Sequence, residues 1–237
     1  MQTGLLRKYD RQVPRYTSYP TAPHFGSAVG PEQYRDWLAA LTPDHDLSLY
    51  LHFPFCSSLC WFCGCNTRIV ARYAPVAAYL ETLVQEIAMV AAALGRRARV
   101  SHMHWGGGTP TILKPGDVLA VTKELQKSFD FATDAEFAVE IDPREIDGET
   151  VAALAQAGVN RVSLGVQDVN RVVQDAVNRR QPWPVTEQAV AHLRANGIDA
   201  FNIDLMYGLP FQTVAGVCRS VESVLSLEPN RLSLFGY

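Results

Sequence analysis

The sequence predicts an α/β protein in which a parallel sheet curves towards a partial (β/α) barrel. Two observations predict it: the order of strand-like and helix-like segments, and the chemistry of the two strand faces. Short apolar-rich segments lie near residues 47–53, 99–105, 136–142, 161–167, 200–206 and 231–237. Longer segments with helical spacing alternate with them, near 72–95, 115–128, 147–157, 184–196 and 213–227. This alternation is the pattern of repeated βαβ units.

The two faces of the predicted strands differ in polarity, because successive residues of a strand point to opposite sides. The first strand has an apolar side made of Leu47, Leu49, Leu51 and Phe53 and a polar side made of Ser48, Tyr50 and His52. Later strands repeat this division, with polar sides made of Glu140 and Asp142, of Ser163, Gly165 and Gln167, and of Asn202 and Asp204. In a barrel the apolar side faces the helices, and most barrel lumens are filled by branched apolar side chains. The sequence therefore predicts an unusually polar lumen, open to a large charged ligand.

Length and composition limit the functional classes. The chain has 237 residues, of which 48% are hydrophobic and 19% are charged, as expected for a globular protein with one sizeable core. A net charge of -3 with scattered basic residues gives no basic stripe, so nucleic acid is not an expected partner. The N-terminal segment MQTGLLRKYDR lacks an apolar signal region, and no segment is expected to reach the apolar length of a membrane span. We therefore expect a cytoplasmic protein.

The chain divides into two predicted parts. Residues 1–46 form an irregular arm with aromatic residues and prolines (RYTSYPTAPHF), followed by a helix at about 31–41. Residues 47–237 form the barrel portion and end at LSLFGY, within the sixth predicted strand. The arm is expected either to wrap the barrel or to cover a substrate.

Four of the five cysteines lie within ten residues of one another, at positions 56, 60, 63 and 65. A secreted disulfide scaffold spreads its cysteines along the chain, so this crowding indicates metal chemistry in a reducing compartment. Cys218 stands alone in a helical pattern and is expected to be a small buried apolar residue.

The crowded cysteines occur in HFPFCSSLCWFCGC, directly after the first strand, where barrel enzymes carry their chemistry. Thiolates spaced C-xxx-C-xx-C can bind three irons of a cubane cluster and leave the fourth iron without a protein ligand. The spacing favours a cluster held by Cys56, Cys60 and Cys63. A structural zinc site with Cys65 as fourth ligand is the alternative, with disulfides a weaker one.

The cysteine loop, with Phe62 just before the third cysteine, resembles the signature of the radical S-adenosylmethionine (radical SAM) superfamily. In that superfamily the amino and carboxylate groups of S-adenosylmethionine chelate the open iron of a 4Fe-4S cluster. An electron from the cluster then produces a 5′-deoxyadenosyl radical. The segment HWGGGTP, which contains Gly106, Gly107, Gly108 and Thr109, resembles the glycine motif that receives the methionine amino group.

A narrower resemblance extends over nearly the whole chain. The segments KYDRQVPRYTSYPTAPHF, YLHFPFC, FCGCN, HWGGGTPT, VEIDP, GVQD with VNR, and NIDLMYGLP are similar, in order, to the oxygen-independent coproporphyrinogen III oxidases. This resemblance implies a partial barrel of the radical SAM type. It also implies oxidative decarboxylation of coproporphyrinogen III to protoporphyrinogen IX in haem biosynthesis. Members of the family continue beyond the barrel into a C-terminal domain, which is absent from these 237 residues.

The same resemblance implies two bound S-adenosylmethionine molecules and a role for each matching residue. Tyr50 and Glu140, with Gly107 nearby, contact the first molecule. The second is lined by Phe62, Gly108, Thr109, Gln167, Arg179 and Asp204. Cys65 is assigned to the reaction rather than to cluster assembly.

Each of these residues also has a structural alternative. Tyr50 and Phe62 could be packing aromatics, and Arg179, next to Arg180, could be a solvated surface charge. Glu140, Gln167 and Asp204 could serve structure alone, although polar groups on a buried strand need partners. His52 and His104 also face the predicted lumen and receive no role.

The family resemblance implies partners as well as chemistry. It implies a tetrapyrrole substrate, an electron donor such as flavodoxin or ferredoxin, and a monomeric enzyme. Two rival functions remain open: a haem chaperone, and an inactive cluster-binding fragment. Chaperones of that kind lack both the long N-terminal arm and the cysteine that corresponds to Cys65.

Overall fold

The computed structural model describes residues 21–237, together with residues 4, 7 and 8. Its strands, in chain order, are β1 Leu47–Phe53, β2 Phe55–Cys56, β3 Arg68–Ile69, β4 Arg99–Gly107, β5 Asp130–Ile141, β6 Arg161–Gln167, β7 Ala200–Tyr207 and β8 Arg231–Gly236. Six of them form one parallel sheet in the order β1-β4-β5-β6-β7-β8, and β2 pairs with β3 in a separate parallel ribbon. This confirms the predicted α/β sheet, which is open between β1 and β8.

Helices connect the strands. They are α1 Pro31–Ala39, α2 Ala74–Leu94, α3 Pro115–Ser128, α4 Gly148–Ala157, α5 Arg171–Ala176, α6 Trp183–Ala195 and α7 Val214–Leu225. All except α5 lie where the helical spacing predicts them. The predicted part of the arm at residues 9–20 lies outside the described residues. The division into an arm and a barrel at residue 47 therefore stays a prediction.

The core lies between the apolar face of the sheet and the helices. Several helix-facing side chains of the central strands are only 0–1% exposed: Trp105, Val139, Val162, Leu164, Ile203 and Leu205. Residues on the other face, such as Glu140, Ser163 and Asp204, line cavities instead. The predicted division between an apolar helix-facing side and a polar lumen side is therefore correct.

Two expectations about individual segments are wrong. Helix α2 contradicts the expectation about apolar length, because it is long and apolar enough to cross a membrane by length and composition. Its residues Leu80, Leu83 and Ile87 belong to the hydrophobic core. Cys218 is exposed rather than buried. Helix α7 buries the face that carries Gly216, Ser220 and Val224. Cys218 lies two positions after Gly216, so it points to the opposite, exposed side of the helix.

Candidate functional site

The cysteine loop starts at the end of β1 and is closed by the ribbon of β2 and β3. Arg68 N donates to Pro54 O at 2.7 Å and Val70 N donates to Cys56 O at 3.0 Å. The loop forms one wall of a cavity of about 910 Å³, a volume that includes space open to solvent. The cavity lies at the carboxyl ends of the parallel strands, where such folds place their ligands.

This cavity brings together every predicted site residue except Tyr50. Its lining includes Cys56, Cys60, Phe62, Cys63, Cys65, Gly107, Gly108, Thr109, Glu140, Gln167, Arg179 and Asp204. These residues come from the cysteine loop and from the ends of β4, β5, β6 and β7, with Arg179 from the segment after α5.

The middle of the cysteine loop is held by three consecutive residues that follow α5. Val177 O accepts from Trp61 N at 3.0 Å, Asn178 Nδ2 donates to Leu59 O at 2.7 Å, and Arg179 Nη1 donates to Cys60 Sγ at 3.4 Å. Asn178 has a φ of 53°, a left-handed conformation that Asn tolerates better than most residues. The sequence motif VNR marks this segment, but the contacts of Val177 and Asn178 could not be predicted from it.

Cys60 lies next to a buried cluster of charges. Arg144 Nη2 donates to Asp142 Oδ2 at 2.6 Å, and Arg179 Nη1 donates to the same oxygen at 2.9 Å. Burial of Asp142 disfavours its charge, yet the hydrogen bond from Arg144 and the positive charges of Arg179 and Arg144 outweigh burial and lower the pKa of Asp142. Arg179 is only 7% exposed, so it is not the solvated surface charge of the alternative interpretation. The neighbouring Arg180 is the exposed surface charge, and it forms an ion pair with Asp175.

The hydrogen-bond donors to the other two motif cysteines are neutral, although the positive charge of Arg179 also acts on Cys63. Thr109 Oγ1 donates to Cys56 Sγ at 3.5 Å, and burial raises the pKa of the Cys56 thiol. A hydrogen bond from Cys65 lowers the pKa of the Cys63 thiol to about 6. Cys65 therefore lies against Cys63 inside the same cavity.

The glycine motif at the end of β4 packs closely against both Glu140 and the cysteine loop. Gly107 N donates to Glu140 Oε2 at 3.1 Å, and Gly108 N donates to Phe53 O at 2.8 Å. A Cβ on Gly106 would lie 2.8 Å from Glu140 Oε1, and one on Gly108 would lie 2.4 Å from Phe55 O. Position 108 therefore needs glycine because the backbone of Phe55 leaves no room for a side chain, whereas at position 106 the flexible Glu140 side chain would have to shift.

Tyr50 lies on the lumen side but outside this cavity, with 58% of its surface exposed. Its ring stacks on His104 with ring centres 5.8 Å apart, and His104 Nε2 lies 3.2 Å from Glu140 Oε1. Its hydroxyl lies 3.0 Å from His52 Nδ1. Tyr50 is thus not a core aromatic, and it connects to the site through His104. Phe62, by contrast, packs against the small apolar cluster of Val173, Val177 and Leu209.

Two further polar residues face the lumen from β6 and β7. Asp204 accepts from Ser163 Oγ at 2.9 Å and from Asn202 Nδ2 at 2.6 Å, and burial raises the pKa of its carboxyl group. Gln167, the last residue of β6, has a φ of 68°. A left-handed backbone at a residue other than Gly, Asn or Asp is strained, and such strain concentrates at functional sites.

The donor set suits a cluster of several metal atoms. Across residues 21–237, no group of three or more His, Cys, Asp or Glu side chains is arranged to hold a single metal ion. Cys56, Cys60 and Cys63 nevertheless line one cavity. An iron–sulfur cluster binds its cysteines at separate corners, so this arrangement fits a cluster better than the zinc alternative.

Comparison with known proteins decides the family. The sequence profile of the radical SAM superfamily matches residues 50–224. The chain belongs to the radical SAM superfamily. Membership implies a 4Fe-4S cluster and S-adenosylmethionine as cofactors of this radical SAM protein.

Curated relatives and a solved structure match nearly the whole of this radical SAM chain. It is 47% identical over 236 residues to an oxygen-independent coproporphyrinogen III oxidase of Paracoccus denitrificans, covering 100% of this chain and 52% of the relative. The corresponding enzyme of Bradyrhizobium diazoefficiens is 48% identical over 238 residues, covering 100% and 53%. The structure of coproporphyrinogen III oxidase from Escherichia coli, a radical SAM enzyme, superposes with a TM-score of 0.89 at 41% identity and covers 98% of this chain and 52% of that one. The chain thus spans about half the length of these relatives.

Proposed function

We propose that this chain is the radical-generating portion of an oxygen-independent coproporphyrinogen III oxidase. The reaction is the oxidative decarboxylation of the propionates on rings A and B of coproporphyrinogen III, which yields the vinyl groups of protoporphyrinogen IX. The observation that carries the proposal is the identity of 47% over 236 residues to a relative with this activity. Cys65 supports it further, because haem chaperones of the superfamily lack this cysteine.

The reaction explains why the site needs a radical. A propionate β-hydrogen is unactivated, and no side-chain base can remove it. When bound, the cluster would supply the electron that cleaves S-adenosylmethionine into methionine and a 5′-deoxyadenosyl radical able to take that hydrogen. The substrate radical would then lose CO2 and pass one electron to a one-electron acceptor, which gives the vinyl group. Cys56, Cys60 and Cys63 hold the cluster, and the rest of the cavity orients the ligands and limits the access of water.

The first S-adenosylmethionine is assigned to Glu140, Tyr50 and Gly107. Glu140 carries a negative charge at the centre of the lumen, and its carboxylate can accept from ribose hydroxyls or from an ammonium group. The second molecule is assigned to six residues: Phe62, Gly108, Thr109, Gln167, Arg179 and Asp204. The buried guanidinium of Arg179 is suited to a carboxylate.

The polar lumen supplies space for a large charged substrate. A second cavity of about 1070 Å³, also including space open to solvent, shares Glu140, Ser163 and Asp204 with the first. It reaches further along the lumen to Asn202 and Ser233. A tetrapyrrole with several carboxylates matches a lumen of this polarity better than an apolar substrate does.

The partners follow from the same proposal. Flavodoxin or ferredoxin supplies the electron, and the enzyme acts in the cytoplasm as a monomer, bound neither to nucleic acid nor to a membrane. The net charge of -3 without a basic stripe supports the part of this proposal that concerns nucleic acid.

The test is turnover by a chimera in which these 237 residues are followed by the C-terminal half of the Paracoccus denitrificans relative. After anaerobic iron–sulfur reconstitution, the chimera receives S-adenosylmethionine, a reductant and coproporphyrinogen III. We expect protoporphyrinogen IX together with 5′-deoxyadenosine. Formation of 5′-deoxyadenosine without protoporphyrinogen IX would contradict the oxidase and favour another radical SAM reaction, and stoichiometric haem binding would favour the chaperone.

A further inference from the structure

The three motif cysteines have unequal electrostatic surroundings. Cys60 Sγ receives two guanidinium donors, Arg179 Nη1 at 3.4 Å and Arg144 Nη2 at 3.6 Å. Among the hydrogen bonds of the described residues, the sulfurs of Cys56 and Cys63 receive only neutral donors. Among the described residues, the Cys60 corner of the proposed cluster thus receives guanidinium hydrogen bonds and the Cys56 and Cys63 corners do not.

Arg144 is fixed in this position by its own turn. The segment Pro143–Glu145 forms a short 3₁₀ helix directly after β5, and Arg144 N donates to Asp142 Oδ1 at 3.0 Å. Arg144 Nε donates to the same oxygen at 2.9 Å. Ser57 Oγ donates to Glu145 Oε1 from the cysteine loop. The turn therefore contacts the loop through Glu145 and through Arg144 itself, whose side chain is only 17% exposed.

The charges around Cys60 do not cancel. Asp142 carries one negative charge, while Arg144 and Arg179 each carry a positive one, so the group has a net charge of +1 when Asp142 is ionised. Arg179 is already assigned to an S-adenosylmethionine carboxylate and also donates to Gly165 O at 2.6 Å. Arg144 has no such assignment, and within the described part of the chain its side-chain hydrogen bonds go only to Asp142 and Cys60.

We propose that Arg144 is a positioning residue that sets the reduction potential of the cluster through its N–H···S hydrogen bond to Cys60. The inference rests on the proposed cluster ligands. A donor to a ligand sulfur stabilises the reduced cluster more than the oxidised one, because reduction places additional negative charge on the sulfurs. Arg144 thus makes the cluster easier to reduce.

The test is an anaerobic redox titration of the reconstituted chain, followed by electron paramagnetic resonance. In Arg144→Gln the equilibrium constant for reduction should fall about tenfold, which is about 59 mV for a one-electron couple. Arg144→Lys keeps the pairing with Asp142 but loses the planar fork that reaches both Asp142 and the sulfur, so its potential should also fall. Arg161→Gln is the matched control, because Arg161 is likewise ion-paired and partly shielded at 28% exposure but contacts Glu136 instead of a cysteine. It should titrate like the wild type.

The outcomes separate this inference from the proposed function. If the wild type binds a cluster and both Arg144 variants titrate like it, the inference is wrong and the proposed cluster stands. A shift in Arg161→Gln equal to that in Arg144→Gln would also overturn it, because the effect would then be one of net charge. Loss of the cluster from both Arg144 variants would show a role in assembly rather than in tuning, and would overturn it as well. Absence of a cluster from the wild type would instead refute the proposed function.

Discussion

Cys65 occupies an unusual position for a cysteine that is not assigned to the cluster. It lines the same cavity as the three motif cysteines and hydrogen-bonds to Cys63. Three cysteines already account for three irons, and a fourth thiolate on the last iron would compete with chelation by S-adenosylmethionine. We therefore assign Cys65 to the reaction rather than to the cluster.

We predict that Cys65→Ser in the chimera keeps its cluster and loses protoporphyrinogen formation. Cluster content by visible and electron paramagnetic resonance spectra, and products by chromatography, measure the two effects. Cys218→Ser makes the same chemical change at an exposed site in α7 and should keep both. Full turnover by Cys65→Ser would make Cys65 a small loop filler, and loss of the cluster would make it a ligand.

Glu140 and Glu136 lie on the same side of β5, four residues apart, and offer a matched pair. Their side chains are 43% and 40% exposed. Glu140 contacts the glycine motif, whereas Glu136 pairs with Arg161 at 2.7 Å. Only Glu140 is assigned to S-adenosylmethionine.

We predict that Glu140→Gln and Asp204→Asn weaken S-adenosylmethionine binding and leave iron content unchanged. A charge-assisted hydrogen bond contributes about 1.5–3 kcal/mol, so the affinity should fall roughly ten- to a hundredfold. Calorimetry on the reconstituted protein measures it, with Glu136→Gln as the control of unchanged affinity. Wild-type affinity in both variants would show that the lumen carboxylates do not bind the cofactor.

At the scale of the element, the glycine motif joins the end of β4 to the start of the cysteine loop. Thr109 N donates to Phe55 O at 2.8 Å, one residue before Cys56. Gly108 is the point of closest approach, because an added Cβ would meet the backbone of Phe55 at O, N and C. Backbone atoms cannot move aside as a flexible side chain does, so this contact fixes the distance between β4 and the loop.

We predict that Gly108→Ala lowers the free energy of unfolding by about 1–3 kcal/mol, the usual cost of overpacking. Gly116 in α3 is the matched control, because a Cβ there would meet nothing within 4 Å. Gly116→Ala should be neutral or stabilising by up to about 1 kcal/mol. Urea unfolding of both variants tests the difference, and equal stability of the two would refute the close packing.

Much of the element order could be predicted because local periodicity determines it. The strand β6 and the helix α3 have the predicted bounds, and Val162 and Leu164 are buried as their alternation requires. The strand β5 begins at Asp130, well before the predicted 136. Its first residues, DFATDA, carry no apolar run that would predict a strand, and of these six only Asp130 and Phe131 pair with β4, ahead of a register irregularity. The six-residue helix α5 is too short to show a period.

The residues that line the cavity could be named from the sequence, but their contacts could not, and their roles stay predictions. Motif spacing identifies Cys56 or Glu140, because the chemistry of each residue is local to its segment. No pattern in the chain indicates that Asn178 donates to Leu59 O, or that Arg144 approaches Cys60, since these partners are 119 and 84 residues apart. Exposure of Cys218 likewise depends on which face α7 turns to the sheet.

At the scale of the whole molecule, the open parallel sheet brings the ends of successive strands around one polar lumen. The cysteine loop lies at the carboxyl end of β1, and the glycine motif, Glu140, Gln167 and Asp204 follow on the neighbouring strands. Each strand thus contributes one part of a single site. We propose that this site holds a 4Fe-4S cluster through Cys56, Cys60 and Cys63 and cleaves S-adenosylmethionine.

Anaerobic reconstitution of the chain and its single Cys→Ala variants tests this claim most directly, with iron content, electron paramagnetic resonance and 5′-deoxyadenosine measured together. The wild type and Cys218→Ala should each carry a full four-iron cluster and produce 5′-deoxyadenosine with S-adenosylmethionine and a reductant. Cys56→Ala, Cys60→Ala and Cys63→Ala should each lose the cluster and the product, because each cysteine binds one iron. A full four-iron cluster in any of these three variants, or tightly bound zinc in place of iron in the wild type, would contradict the account.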